Sequence, residues 1–295
     1  MSEIEEFRGM SGDYNEYLKN MPQMAPTTEQ IVNSLLAYMG GDFYGRKLKL
    51  GDIGCGPGAS TRYYMARFLE SGLNFDGVVG VEKREDAVSE AKHSENFGVD
   101  VDFLQGDITS MPQVADDSLD VCISERVIQH LDDENARNAV AEMVRITRDG
   151  GIICLGGDIN FDNIHFSPQS TLDNSILDAY QHLVVGFRRS GESEHLLADA
   201  GVTEVEVQYF NKDANKKTVI PSLKIANMIL KIDWLKDKLL TEGIPYVDPE
   251  TKEEKVYKPA KEEVENWWNK LVEADEAGRF SMEIPFYVTI GRVKK

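Results

Sequence analysis

Residues 50–61 read LGDIGCGPGAST, an apolar run that reaches Asp52 and then places glycine at every second position, Gly54, Gly56 and Gly58. Glycine allows backbone conformations and close approaches that a Cβ forbids, so this density marks a loop against which something packs tightly. The run before it, KLKLGDI, has strand character, and the segment from Ala59 to Glu70 reads as a helix. Strand, glycine loop and helix in that order open an α/β fold whose ligands gather at the carboxyl ends of parallel strands.

The alternation continues outward. GVVGVE is a short buried strand followed by a helix from Arg84 to about Glu95, and VDVDFLQGD and SLDVCISE are two further strands. Residues 134–148 repeat Ala136, Val140, Met143 and Val144 at helical spacing before Gly150-Gly151 turns the chain into IICLGG. SGESEHLLADAG is a capped helix, VTEVEVQYF a strand and IPFYVTIGRV the last strand. Upstream, PTTEQIVNSLLAYMGG reads as a helix with capping-box spacing from Thr27 to Gln30. Two helices are expected around 221–241 and 259–277, joined by the charged stretch PYVDPETKEEKVYKP. Such alternation predicts a mostly parallel sheet with helices on both faces. The expected organisation is a helical cap over 1–44, a core over 45–211, a helical insertion over 212–283 acting as lid or substrate wall, and a last core strand over 284–295.

A chain of 295 residues, 41% hydrophobic, has enough apolar material for a sizeable core. Its 32 basic and 51 acidic residues give a net charge of −19, and an acidic surface repels phosphate backbones, which argues against a nucleic-acid partner. Cys55, Cys122 and Cys154 lie far apart in or beside apolar runs, the pattern of neither a disulfide framework nor a metal site. The acidic start MSEIEEFRGM lacks a signal-peptide stretch, and no run approaches the roughly 20 apolar residues of a membrane helix. The expectation is a cytoplasmic protein without a membrane partner, and a homo-oligomer remains open.

The residues just past each strand are the ones to inspect: Gly54 and Gly56 after the first, Glu82 after the second, Asp107 after the third, Ser124 and Glu125 after the fourth. Glu82 follows Gly54 by 28 residues, where a carboxylate accepts both hydroxyls of a ribose. Gly54 to Ala59 also satisfies G-x-G-x-x-A, so on these residues alone a nicotinamide dinucleotide stays open.

DIGCGPG with its leading aspartate, VEKRE, QGDITSMP, DVCISERVIQHL and the Gly150-Gly151 turn resemble, in order and spacing, the class I S-adenosylmethionine-dependent methyltransferases. The resemblance covers about residues 46–210, and AGRFSMEIPFYVTIGRV looks like the last strand of many small-molecule members. It implies a Rossmann-like seven-stranded sheet of order 3-2-1-4-5-7-6 with the last strand antiparallel. It implies S-adenosylmethionine as cofactor, S-adenosylhomocysteine as product, and a small-molecule methyl acceptor modified at O, N or C, with specialised metabolism as the setting. The alternatives are an NAD(P)-dependent oxidoreductase on the same loop and a non-catalytic binding module of the methyltransferase fold.

Laid onto residues, the resemblance implies that Gly54 and Gly56 line the methionine and ribose part of the cofactor, with Asp52 ordering the loop or meeting the amino group. Glu82 takes the ribose hydroxyls and Lys83 lies along the adenine face. Asp107 accepts from the adenine amino group, Ile108 packs on the ring, the backbone at Ser124 meets the ammonium, and Tyr14 covers the cofactor. His130 and Glu125 are the candidate catalytic residues, His130 as a base only if the acceptor must lose a proton. His165, Tyr180 and His182 can also face the acceptor, and Arg188-Arg189 reads as solvated loop charge more than as an anion site. SERV stands where enzymes methylating amino groups of bases or glutamine carry Asn/Asp-Pro-Pro-aromatic, which disfavours that subclass. Glu125, Asp158 and Asn160 have the oxygen chemistry of a magnesium site, but such loop residues are common and no metal is expected. Trp234, Trp267 and Trp268 in the insertion read as packing residues of its helices.

Overall fold

The computed structural model describes residues 25–93, 98–160, 163–177, 192–210, 218–248, 251 and 253–295. They cluster into two compact units, a larger one built from 25–158, 192–210 and 286–295 and a smaller one from 159–177 and 218–285.

The larger unit holds β1 (Lys47–Ile53), β2 (Asn74–Glu82), β3 (Val101–Gln105), β4 (Leu119–Glu125), β5 (Thr147–Ile159), β7 (Val202–Tyr209) and β12 (Phe286–Val293). Between β5 and β7 the chain makes the short β6 (His165–Ser167) of the smaller unit. The seven strands lie in the order β3-β2-β1-β4-β5-β12-β7, the order 3-2-1-4-5-7-6 expected for core strands counted along the chain. β1 pairs parallel with β2 and β4, β2 with β3 and β4 with β5, while β12 runs antiparallel to β7. β4 is buried along its whole length, as a central strand covered on both faces must be.

The helices of this unit are α1 (Ala25–Met39), α2 (Ala59–Glu70), α3 (Glu85–Lys92), α4 (Asp133–Ile146) and α5 (Glu192–Asp199). α1 begins two residues ahead of Thr27, with Pro26 in its first turn where a missing N–H costs nothing. Its Ile31, Leu35 and Met39, the apolar residues that recur at helical spacing, are buried, and so is Val32. α4 opens on Asp132, whose carboxylate accepts from the Asn135 N–H at 2.8 Å, and buries Ala136, Ala139, Val140, Met143 and Ile146.

The smaller unit contains β6, β8 (Thr218–Ile220) and β11 (Ser281–Ile284) as a three-stranded sheet of order β6-β11-β8 that the sequence reading missed. The helix expected over 221–241 is two helices, α6 (Leu223–Leu230) and α7 (Ile232–Thr241), divided at Lys231 with a left-handed φ of 50°. The charged connection expected after it is a hairpin of β9 (Ile244–Val247) and β10 (Glu254–Tyr257). α8 (Lys261–Glu276) buries Trp267, whose indole N–H donates to the Asp173 carboxylate at 2.9 Å. No helix among the described residues is long and apolar enough to cross a membrane.

Candidate functional site

Parallel register aligns the strand ends. Asp52 of β1 lies beside Gly80 of β2 and Ile123 of β4, so Ser124 is level with Ile53, the last residue of β1, and Glu82 and Glu125 stand one residue past it. Within the loop the N–H groups of Gly54 and Cys55 donate to the Val81 carbonyl at 2.7 and 3.1 Å, and that of Gly58 to the Cys55 carbonyl at 3.0 Å. The Gly56 N–H donates to Glu82 Oε2 at 3.1 Å. Pro57 has no N–H, so every amide from 54 to 58 is already spent on the protein itself. Gly54 has φ +81°, and a Cβ there would stand 2.3 Å from Val127 Cγ2. The close approach that demands glycine is thus, at this position, to the turn that follows β4.

Glu82 is clamped by backbone. Oε2 takes the Gly56 N–H and Oε1 takes the Arg84 N–H at 2.9 Å, joining the end of β2 to the loop after β1. A carboxylate offers about four lone-pair positions, so each oxygen keeps acceptor capacity. One strand over, Asp107 Oδ1 accepts from the Thr109 N–H at 3.0 Å and its hydroxyl at 2.8 Å, and Oδ2 from Lys83 Nζ at 2.9 Å. The Thr109 amide first, and then the Lys83 ammonium, hold this carboxyl down to about 2. Lys83, expected along an adenine face, is therefore engaged with Asp107. Ile108 is buried in a cluster with Ile53, Val81 and Met111.

Asp52 is 1% exposed, and its Oδ2 accepts from Thr61 Oγ at 2.6 Å and more weakly from Ser60 Oγ at 3.4 Å. Burial pushes its carboxyl up to about 7, the neighbouring Glu125 and Glu82 add to the rise, and the two hydroxyls oppose it. Ser124 Oγ donates to the Ile53 carbonyl at 2.9 Å, tying β4 to β1.

Glu125 is buried and occupied on both oxygens. Oε1 accepts from Thr28 Oγ of α1 at 2.9 Å and pairs with the Arg126 guanidinium at 2.9 Å, while Oε2 accepts from the Tyr64 hydroxyl of α2. This carboxylate knits the N-terminal helix and the loop helix to the end of β4. Burial, and then the Glu125 charge, push the Tyr64 hydroxyl well up.

His130 is exposed on a single 3-10 turn, Ile128–His130, whose backbone closes through the His130 N–H to the Val127 carbonyl at 2.9 Å. Its Nε2 lies 3.5 Å from Nε2 of Gln129. Gln129 was not singled out from the sequence, where nothing distinguishes a glutamine beside a histidine. It is 7% exposed, and its Oε1 has no hydrogen-bond partner among the described residues.

On the far strand of the same edge, Asp158 at the end of β5 is buried and accepts from Ser193 Oγ at 3.0 Å. His165 lies exposed on β6 in the smaller unit, in register with Glu283 of β11. Tyr14, Tyr180, His182, Arg188 and Arg189 lie outside the described residues.

A family model described as "Methyltransferase domain" matches residues 51–155. An uncharacterized methyltransferase of Mycolicibacterium vanbaalenii is 35% identical over 108 residues, 37% of this chain and 38% of that protein. One of Mycobacterium ulcerans is 33% identical over 133 residues, 45% of this chain and 47% of that protein. The chain therefore spans less than half the length of either relative. Among solved structures, the YcgJ protein of Bacillus subtilis superposes with a TM-score of 0.54 at 16% identity, covering 90% of this chain and 99% of that one, a likeness of fold alone.

Proposed function

We propose that this chain, whose residues 51–155 match a methyltransferase domain and whose sheet has the matching strand order, transfers the methyl group of S-adenosylmethionine to a small organic acceptor and releases S-adenosylhomocysteine. One observation carries the reading: the loop amides are consumed internally while two carboxylates with spare acceptor capacity stand at the ends of β2 and β3. A dinucleotide's pyrophosphate is held by free N–H groups of the loop and of the first helical turn, and here the loop supplies none. A nucleoside without phosphates needs acceptors for its ribose hydroxyls and its amino group. Of the two ligands that the G-x-G-x-x-A pattern allows, the second fits.

In this reading the lone pairs left on Glu82 take the ribose hydroxyls. Asp107, ionised at neutral pH, accepts from the adenine amino group, with Ile108 beneath the ring and Lys83 moving along its face. Gly54, Gly56, Asp52 and the backbone at Ser124 surround the methionine end. When bound, the cofactor supplies an electrophilic methyl group already activated on a sulfonium. The protein's share is alignment of the nucleophile and exclusion of water, which can supply on the order of 7–11 kcal/mol of a barrier. His130, exposed just past β4, is the proton acceptor where the nucleophile must lose a proton. Glu125, with both oxygens engaged, acts as the brace for that turn. The net charge of −19 supports a small-molecule acceptor over a nucleic acid, and specialised metabolism is the setting proposed for it.

Calorimetric titration with S-adenosylhomocysteine, S-adenosylmethionine and NADH tests the cofactor, and the first two are expected to bind. Tight NADH binding with silence towards both S-adenosyl ligands overturns the reading. Tritiated methyl transfer into a metabolite extract then tests turnover, and a protein that binds cofactor without labelling anything is a binding module.

A further inference from the structure

Gln129 stands out because its chemistry is unfinished. The large majority of buried polar side-chain atoms in folded proteins have a hydrogen-bond partner, since an unmet buried acceptor is destabilising. Gln129 is 7% exposed; one end of its carboxamide faces the His130 ring and the other end, Oε1, meets nothing among the described residues. Its neighbour Ile128 is anchored in the core of the larger unit, which fixes the turn. The turn itself lies against the glycine loop, because Val127 fills the space a Cβ on Gly54 would need. An orphan acceptor held on a rigid turn at the carboxyl edge of the sheet is where a bound ligand's donor can complete the set.

The charge around this edge narrows the donor. Asp52, Glu125 and Asp158, at the ends of β1, β4 and β5, are all buried acids, and the Arg126 guanidinium pairs with Glu125. An anionic group approaching Gln129 meets repulsion, whereas a group rich in N–H donors and able to carry positive charge is favoured. We propose that Gln129 Oε1 is a recognition point for the methyl acceptor, and that this acceptor is a basic aliphatic amine which donates an N–H to it. Such an amine differs from the conjugated amino groups of bases and amides, whose usual motif this chain lacks after β4. The proposal rests on the methyltransferase reading above and adds the class of acceptor to it.

The test uses the full chain saturated with S-adenosylhomocysteine and titrated with benzylamine and n-butylamine, against benzyl alcohol and n-butanol as skeleton-matched controls. Amines are expected to bind and alcohols to bind at least ten-fold more weakly. Q129L should weaken amine binding ten-fold or more while changing S-adenosylhomocysteine affinity less than two-fold, and Q129E, which keeps an acceptor oxygen, should restore amine binding. Equal binding of alcohols, no amine binding, or an indifferent Q129L overturns the proposal. Loss of S-adenosylhomocysteine affinity in Q129L also overturns it, by assigning Gln129 to the cofactor. Failure of the wild-type chain to bind S-adenosylhomocysteine at all is a different result, and sinks the methyltransferase reading instead.

Discussion

Asp52 is a buried acid whose only described donors are two hydroxyls, and its cost to the fold depends on pH in a way one substitution isolates. Its carboxyl is raised from 3.8 to about 7, chiefly by burial. Below pH ~3 the group is protonated in both folded and unfolded chains and contributes almost no difference. Between about 4 and 7 the folded protein keeps a proton that the unfolded chain releases, so stability falls as pH rises, and above about 7 the loss is complete. At about 1.4 kcal/mol per pH unit that span corresponds to a loss of about 4 kcal/mol. Asp52→Asn keeps an oxygen for the Thr61 hydroxyl but never ionises. The stability difference between D52N and wild type should therefore grow by about 2.4 kcal/mol from pH 4 to pH 6 and level off near ~4 kcal/mol above its acid-limit value by pH 8. Urea denaturation followed by far-UV circular dichroism is the assay. Far-UV circular dichroism reports on the larger unit that holds Asp52, whereas Trp234, Trp267 and Trp268 all lie in the smaller one. Curves that run parallel to within ~0.5 kcal/mol across this range would refute the reasoning, since Asp52 would then titrate as a solvated acid does.

Gly54→Ala should lower the melting temperature by several degrees, because it combines a left-handed φ with a Cβ 2.3 Å from Val127 Cγ2. Val127→Ala in the same chain should recover part of the loss, and full additivity of the two changes would show that the contact is not the cause. Thr28→Val removes one donor from a buried carboxylate and should cost about 1–3 kcal/mol by denaturation, whereas a change under ~0.5 kcal/mol would mean that Glu125 is satisfied without α1. Glu82→Ala should weaken S-adenosylhomocysteine binding by about 1–3 kcal/mol in a calorimeter, and unchanged affinity would remove Glu82 from the ribose role.

The core sheet was legible because its strands are long enough to alternate or to run apolar, and because glycine turns separate them from amphipathic helices. The order of the strands was not in the spacing; it came from the resemblance carried by DIGCGPG and QGDITSMP. The small unit shows where pattern reading ends. β6 and β8 have three residues each and β11 four, too short for any period, and they meet across more than fifty residues of chain between each neighbouring pair. The division between α6 and α7 falls on Lys231, a residue type that gives no hint of a left-handed break. In PYVDPETKEEKVYKP, Glu254 and Lys255, residue types that argue for a solvated linker, lie on hairpin strand β10 at an exposed and a half-buried position. At the site, the sequence supplied the acids but not their commitments. That Lys83 turns to Asp107, or that Glu125 is shared by Thr28, Tyr64 and Arg126, depends on competition among groups far apart in the chain.

Glu82 illustrates what those commitments do to interpretation. Its carboxylate both fastens the Gly56 amide and, in the proposed reading, meets a ribose, so weaker binding in Glu82→Ala has two sources: a missing acceptor for the ligand and a loosened loop. Glu82→Gln separates them. The glutamine oxygen can serve one of the two amides, Gly56 or Arg84, but its NH₂ cannot accept from the other, so the loop is released almost as it is by alanine. Toward a ribose the same glutamine retains acceptor capacity on its oxygen and adds donors, so the direct contact survives in part. If loop order dominates, Q and A variants lose affinity alike and both free proteins melt lower. If the ribose contact dominates, E82Q keeps a measurable share of the affinity that E82A loses, while the two free proteins melt together. The second pattern is expected, because the loop has three further internal hydrogen bonds, from Gly54, Cys55 and Gly58, that do not depend on Glu82.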